Sequence, residues 1–257
     1  KYEFQSDVEI QNPDFEMFSE RLDFYTENKH AYFYGPTTII GPDYKVFGRR
    51  GYYDTNNKKG YFKKNAAIDY NARHITGDSI YFDDNLQYAT ASQNVEIIDT
   101  LDNNIIRGHF AEVFQAHDSA MVTREAVAIN VIDGDSLYIH ADTLLATGTP
   151  EDRILRGYYD VKIFKSDLSG KSDSIYVYQK LGLTKLLRLP LSERDQQLLT
   201  PSEITKRNPV LWFGRSQMTG DLIHLTNDTV NNVLDSLIIF NNEPISTSYV
   251  RSICLKN

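Results

Sequence analysis

Apolar and polar residues alternate with a period of two along most of this chain, and no stretch longer than a few residues sustains a 3.6-residue period. Such alternation predicts strands with one buried and one wetter face. The run Asp78-Ser79-Ile80-Tyr81-Phe82 is the clearest frame. It recurs as Asp135-Ser136-Leu137-Tyr138-Ile139, Asp173-Ser174-Ile175-Tyr176-Val177 and Asp221-Leu222-Ile223-His224-Leu225. In each copy the apolar pair (Ile80/Phe82, Leu137/Ile139, Ile175/Val177, Ile223/Leu225) shares one face. The other face carries Tyr81, Tyr138, Tyr176 or His224, whose polar tips suit a wet surface.

The frame belongs to a longer repeat with two half-units. The first reads apolar-x-Gly, as Val46-Phe47-Gly48, Ile75-Thr76-Gly77, Ile106-Arg107-Gly108, Ile132-Asp133-Gly134, Leu155-Arg156-Gly157 and Met218-Thr219-Gly220. The second is a small residue, a turn or bulge at Asn or Pro, and a short apolar strand. It runs from Ala31 through Pro36 to Ile39, from Gly60 through Asn65 to Ile68, and from Ala89 through Asn94 to Val95 and Ile97. Ala31, Gly60 and Ala89 lie 29 apart, and Ala120 follows 31 later. The offset from glycine to small residue is 12 at Gly48–Gly60, Gly77–Ala89, Gly108–Ala120 and Gly134–Ala146. Twelve residues before Ala31 stands Ser19, in a weakened first copy. The pattern amounts to about eight two-strand units, none able to bury its apolar face alone, so that stacking must stabilise them.

Asn and Asp clusters at 54–57, 83–85, 102–104 and 227–229 supply the turns. The glycines are expected to permit corners, with the following Asp capping the turn. From 181 to 207 the repeat lapses, an insertion in which Ser192 caps a short helix running towards Leu199. The pattern resumes at Asn208-Pro209-Val210-Leu211-Trp212, which matches Asn94-Val95-Glu96-Ile97 and puts Trp212 in an inward place.

Composition agrees with strands: 17 Tyr and 13 Phe stand beside 8 Pro and 3 Met. With 257 residues the core is large enough to need no staples, and the single Cys254 forms no internal disulfide. The chain begins at Lys1 without a charged and apolar leader, and no run of 18 apolar residues predicts a transmembrane segment. The net charge of −8 argues against nucleic acid, whose phosphates require a basic stripe. The charge is uneven. Lys45, Arg49, Arg50, Lys58, Lys59, Lys63, Lys64 and Arg73 face only Asp54 and Asp69 over 45–74, a local balance of +6.

Catalytic chemistry has no residue set to rest on. His30, His74, His109, His117, His140 and His224 form no zinc pattern, and the His140/Asp142 and His117/Asp118 pairs read as turn or surface residues. The Gly-Asp steps at 77–78, 134–135 and 220–221 lie too far apart for a calcium-binding nonapeptide array. No phosphate-cradling loop or nucleophile elbow occurs, so neither an enzyme, a metal nor a cofactor is expected.

The runs Ile75 to Tyr81, Ala89 to Ile97 and Gly134 to Asp142 resemble the OstA-like family of lipopolysaccharide-transport proteins (LptA, LptC and the N-terminal domain of LptD), in the Tyr- and Asn-rich style of Bacteroidetes. The resemblance spans roughly residues 15–240, apart from the insertion. It implies an all-β fold: one elongated, repeat-built antiparallel β-jellyroll over 1–257, open at both ends, with one short helical insertion. It further implies a periplasmic, non-catalytic module that holds lipopolysaccharide acyl chains in an apolar groove. Ile80, Phe82, Val95, Ile97, Leu137, Ile139, Ile175, Val177, Ile223 and Leu225 are the groove-lining candidates. Arg49, Arg50, Lys58, Lys59, Lys63 and Lys64 are the candidates for head-group phosphates. Other OstA-like envelope proteins would join by end-to-end strand pairing to form a bridge to the outer membrane. Two other readings stand beside it: a structural or adhesive β-solenoid with a closed core, and a carbohydrate-active β-helix. The second would need acidic or basic residues converging on one strand face, where the repeat offers tyrosine.

Overall fold

The computed structural model describes residues 1–70, 72–101, 104–132, 135–228, 234–241 and 251–254. Gly134 and Asp102, to which the sequence assigned a corner and a turn, lie outside them. Two compact units are present, 1–124 and 125–257. The strand pairs among the described residues are antiparallel, and the expected all-β, repeat-built architecture is what the chain adopts.

The first unit contains β1 (Tyr2–Asn12), β2 (Phe15–Tyr25), β3 (His30–Phe33), β4 (Thr37–Ile40), β5 (Tyr44–Gly48), β6 (Arg50–Asp54), β7 (Lys59–Tyr70), β8 (Arg73–Asp83), β9 (Tyr88–Asp99) and β10 (Asn104–Phe114). The boundary falls inside β11 (Ser119–Ile132). The pairing divides each long strand in two. One ladder runs from Arg21–Phe24 of β2 through β3 and β6 to Lys59–Lys63, Ser79–Asp83, Tyr88–Ser92 and Phe110–Phe114. The other runs from Phe15–Ser19 through β4 and β5 to Ala66–Tyr70, Arg73–Thr76, Val95–Asp99 and Asn104–Gly108. The register shifts between Lys63 and Ala66, Thr76 and Ser79, and Gly108 and Phe110 mark the crease between the ladders.

Pairs of left-handed residues make that crease. In the first unit they are Ser6-Asp7, Lys64-Asn65 and Gln93-Asn94; Arg124-Glu125 follows in the next strand, and Tyr159-Asp160 makes a bulge of the second unit, all with φ between 45 and 63°. Two successive residues in this conformation insert a bulge and turn the strand, so its two halves enter different ladders. The cost is about 1–2 kcal/mol per non-glycine residue, least for Asn and Asp. Asn65 and Asn94 sit where the sequence placed its bulge. The corner glycines do something else. Gly48, Gly77 and Gly108 have ordinary φ; Gly108 and Gly48 provide room, whereas a Cβ on Gly77 would meet its neighbours no closer than 3.4 Å. A Cβ on Gly108 would stand 2.5 Å from Val122 Cγ1, and one on Gly48 3.0 Å from Phe62 Cβ.

The turns repeat too. Lys29, Lys58 and Gln87 are left-handed, and their carbonyls accept from the N–H of Thr55, Asp84 and Gln115 at 2.8–3.0 Å. Each turn is thereby fastened to the next at a spacing of 29 to 31 residues, as the sequence period required.

The second unit contains β12 (Asp135–Thr147), β13 (Ile154–Lys165), β14 (Leu168–Tyr178), β15 (Leu183–Leu187), α1 (Glu193–Leu198), α2 (Pro201–Lys206), β16 (Val210–Phe213), β17 (Ser216–Thr219), β18 (Leu222–Asn227), β19 (Leu234–Phe240) and β20 (Arg251–Cys254). The same division holds: β15 and β18 continue one half of β14, and β16 and β17 the other. Residues 181–207 split accordingly. Leu183–Leu187 is a ladder strand, and the excursion that follows holds two helices rather than one. Ser192 caps the first, as expected; Thr200 and Glu203 form a capping box on the second.

Three alignments made on sequence are corrected. Asp135 opens β12, whereas Asp78 lies at a crease, so the structural equivalent of Gly77-Asp78-Ser79-Ile80 is Ala141-Asp142-Thr143-Leu144. Strands β11 and β12, at 14 and 13 residues, are longer than the 11- and 12-residue strands before them, and counting from Gly134 to Ala146 therefore slips. Gly157 belongs to a strand bulged at Tyr159-Asp160, which makes it equivalent to Ala91 instead of Gly77. Trp212 is 37% exposed, its Nε1–H donating to Gln217 Oε1 at 3.1 Å, because Leu211 takes the inward place.

Asn94→Gly is expected to preserve stability within about 1 kcal/mol. Asn94→Val, β-branched and without the bonds Asn94 gives Asp78, is expected to lose about 2–3 kcal/mol in urea unfolding. Equal losses would show that the left-handed bulge is not what shapes the strand.

Candidate functional site

In the first unit the inward side chains of both ladders meet. Ile80 and Phe82 project from one ladder and Val95 and Ile97 from the other, all at 3% exposure or less. Phe33 and Phe62 pack with ring centroids 5.3 Å apart beside them. In the second unit Ile139, Ile175, Ile223 and Leu225 are buried, while Leu137 and Val177 are half-buried. Eight of the ten groove-lining candidates are thus shut from water. The interior is apolar and closed as it stands.

Opposite the crease, at the free margins of the ladders, side chains and turns alone close the first unit among the described residues. Tyr44 of β5 reaches across to Phe82, ring centroids 4.5 Å apart, and its hydroxyl lies 3.5 Å from that of Tyr53 in β6. Burial pushes the Tyr44 hydroxyl up to about 12, against the hydrogen bond from Tyr53, so both phenols are neutral at physiological pH. The Tyr70 hydroxyl donates to the Gln115 carbonyl at 2.9 Å. Arg73, buried, meets the Asp118 carboxylate at 2.8 Å and its carbonyl at 3.2 Å. Lys58 Nζ pairs with Asp14 Oδ2 at 3.1 Å. These links join residues 9 to 45 apart in sequence and form a mouth.

The mouth is electrostatically tense on one side. Burial pushes the Asp84 carboxyl above its ordinary range; Lys58 opposes the shift, and Asp14, Asp43 and Asp83 reinforce it. The neighbouring turn is settled instead. Burial raises Asp54, but hydrogen bonds from the Asn57 side chain and the Asn57 and Asn56 backbones, with His30 nearby, outweigh it and hold the carboxyl low.

The six cationic candidates do not form one patch. Arg49, Arg50, Lys63 and Lys64 lie exposed beside the crease. Lys58 stands at the mouth, and Lys59 is half-buried at the start of β7 opposite Asp54 and Asp83. Five residues of strand, roughly 15 Å, separate the two groups.

One cluster of potential metal ligands occurs among the described residues. His140, Asp142 and Asp160 place ligand atoms within 4.8 Å of one another at the β12–β13 crease, where the preceding repeat has Asn94 bonded to Asp78. Lys162 Nζ, 2.7 Å from Asp160 Oδ2, already neutralises one of the carboxylates, and His140 Nε2 is 4.0 Å from it. His117, by contrast, is exposed in a short turn, and its neighbour Asp118 is committed to Arg73.

The mouth residues Tyr44, Tyr53, Tyr70, Arg73 and Asp118 leave no mark in the sequence repeat, because each is inward in its strand, at a strand end or, for Asp118, in a turn, and finds its partner only when the ladders face each other. At the other extreme, β1 pairs only with β2 among the described residues. It is exposed along most of its length, with Tyr2 60% and Phe4 42% open to solvent.

Arg73→Met is expected to lower unfolding free energy by about 3 kcal/mol, since it strands part of a buried ion pair. Lys58→Met should cost about 0–1 kcal/mol at a half-exposed pair. Chemical denaturation of both variants checks the ranking. For Asp84, whose folded pKa is raised, the charged form opposes folding above that pKa. Asp84→Asn should therefore stabilise the protein at neutral pH, and the gain should vanish as the pH falls to the ordinary carboxylate value of 3.8. A gain independent of pH would contradict the assignment.

No family model and no curated protein matches this sequence. Among solved structures, the chain is similar to LptH of Pseudomonas aeruginosa, the LptA-homologous periplasmic component of a lipopolysaccharide transport device. The identity is 13%, over 47% of this chain and 85% of that one, with a TM-score of 0.42.

Proposed function

We propose that this protein is a non-catalytic periplasmic lipid-binding module, holding lipopolysaccharide acyl chains between its two ladders as part of a bridge to the outer membrane. The observation that carries the reading is the asymmetry of the first unit. Its ladders share continuous strands along one margin, and side chains and turn backbone alone bridge the described residues of the other. Parting that margin exposes a trough lined by Ile80, Phe82, Val95 and Ile97 without breaking a ladder.

Magnitudes favour such an exchange. An acyl chain gains about 0.8 kcal/mol per buried methylene, so a dozen carbons contribute on the order of 10 kcal/mol before ordering costs. The mouth resists with one half-exposed ion pair of about 0–1 kcal/mol, one buried pair, and contacts among phenols. Lys58 at the rim is the cation best placed for a head-group phosphate. The bare edge of β1 offers unpaired backbone groups to a strand of a second envelope protein, by the end-to-end pairing that the sequence resemblance implies.

A second reading, a structural module with a permanently shut core, draws on the burial of eight of the ten groove-lining candidates. One experiment separates them. A photoreactive phenylalanine analogue at position 82 should capture lipopolysaccharide from micelles, and one at the outward Tyr81 should not. In an Asp14→Cys/Lys58→Cys variant with Cys254 replaced by Ser, oxidation should abolish capture and reduction restore it. No capture from position 82 in either redox state would leave the shut core as the account.

A further inference from the structure

Beside the crease, on the outer face of the first unit, a cleft of about 780 Å³ opens between Arg49, Lys63, Lys64, Ser92 and Gln93. Its position follows from strand parity. Phe62, Ile80 and Ala91 point inward, so Tyr61, Lys63, Ser79 and Ser92 point outward, and the Lys64-Asn65 and Gln93-Asn94 bulges raise its two flanks. Three cations converge there, and among the described residues none of the three has an ion-pair partner. The single carboxylate in the lining, Asp78, accepts from Asn94 Nδ2 through both oxygens, at 3.1 and 3.2 Å. The Asn65, Ser92 and Gln93 side chains hold no hydrogen-bond partner among the described residues, and the Tyr61 ring, with Lys63 Nζ 4.9 Å from its centroid, supplies a face.

We infer that this cleft is a second binding site, for a saccharide bearing a phosphate or carboxylate. Arg49 with Lys63 and Lys64 would take the anion, the guanidinium by a two-pronged contact and the ammoniums as point charges. The amides and hydroxyl are suited to neighbouring sugar hydroxyls, and the volume exceeds what a bare phosphate fills and falls within the range of small-molecule sites. The site lies on the opposite side of the strands from Phe82 and across the ladder from Lys58, so it stands whether or not the interior holds lipid. Such a sugar could be free or carried on a lipid.

Nuclear magnetic resonance titration of the full chain tests this, with glucose 1-phosphate, glucuronate, glucose and inorganic phosphate as probes. Saturable shifts at residues 63–65 and 92–94 are expected with the two charged sugars, and none with glucose. Inorganic phosphate should bind about tenfold more weakly, and affinity should fall as salt is added. The Arg49→Gln/Lys63→Gln/Lys64→Gln variant, altered only at exposed positions, should keep its unfolding midpoint and lose the shifts. Competition by glucose 1-phosphate against a micellar glycolipid phosphate would identify a lipid-borne sugar as an occupant, and micelles that neither bind nor compete would identify a free one. The inference is overturned if the charged sugars give no saturable shift, if the triple variant binds as well as the parent, or if inorganic phosphate binds as tightly as the sugar phosphate.

Discussion

The structure of each unit depends on one backbone constraint: a strand that must feed two ladders has to change direction in its middle without losing its hydrogen bonds. A pair of left-handed residues accomplishes this by letting the ladder skip and resume, as between Lys63 and Ala66 opposite Ser79 and Gly77. Everything inward follows from that crease. Because parity is kept within each half, Phe62 and Ile68 of one strand both end inside, facing each other from different ladders. The strand thus supplies both walls of its own interior. Two glycines beside the bulges answer to the same cause, since backbones converge where the ladders meet: a Cβ on Gly108 would collide with Val122, and one on Gly48 would press on Phe62.

The crease also dictates where the molecule is weak. Backbone hydrogen bonds and continuous chain hold one margin, while the mouth relies on Tyr44, Tyr70, Arg73 and Lys58 and the groups they reach. The buried Arg73 is the strongest of these, and the Lys58–Asp14 pair the weakest. Burial, reinforced by Asp14, Asp43 and Asp83, raises the Asp84 carboxyl beside Lys58, so a charged Asp84 opposes complete closure. A sheet with equal hydrogen bonding on all sides has no such preferred line of opening. Here the line coincides with the ends of the apolar residues that a guest would meet first, Phe82 and Tyr44.

Much of this was legible in the sequence, and the losses have physical causes. The period of 29 to 31 residues, the alternation, the inward identity of Ile80, Phe82, Val95 and Ile97 and the Ser192 cap all depend on local geometry, which residue types reveal. The bulges were half legible: Asn65 and Asn94 favour the left-handed region, but Lys64, Gln93, Arg124 and Tyr159 carry no such signal. Register failed after residue 132, because lengthening β11 and β12 moves every glycine count while preserving parity. Trp212 was misplaced for a simpler reason: one residue of slip reverses a strand's faces, and a short strand beside an excursion does not fix the slip. The mouth was illegible, since Arg73 and Asp118 lie 45 residues apart and meet only when two ladders face each other. The cationic segment read as one patch in sequence and became two groups, because five residues of an extended strand carry Lys58 away from Lys63.

The central claim is that the first unit parts at its mouth and nowhere else. Pulsed electron–electron resonance between nitroxides at Asp43 and Asn56, exposed turns on opposite ladders, measures that opening directly. A second pair at Asn56 and Leu86, both on turns of one ladder, provides the reference. The account predicts that lipopolysaccharide micelles lengthen the first distance by several ångströms, roughly the width of one acyl chain, and leave the second unchanged. An unchanged distance across the mouth, or equal lengthening of both pairs, would contradict it.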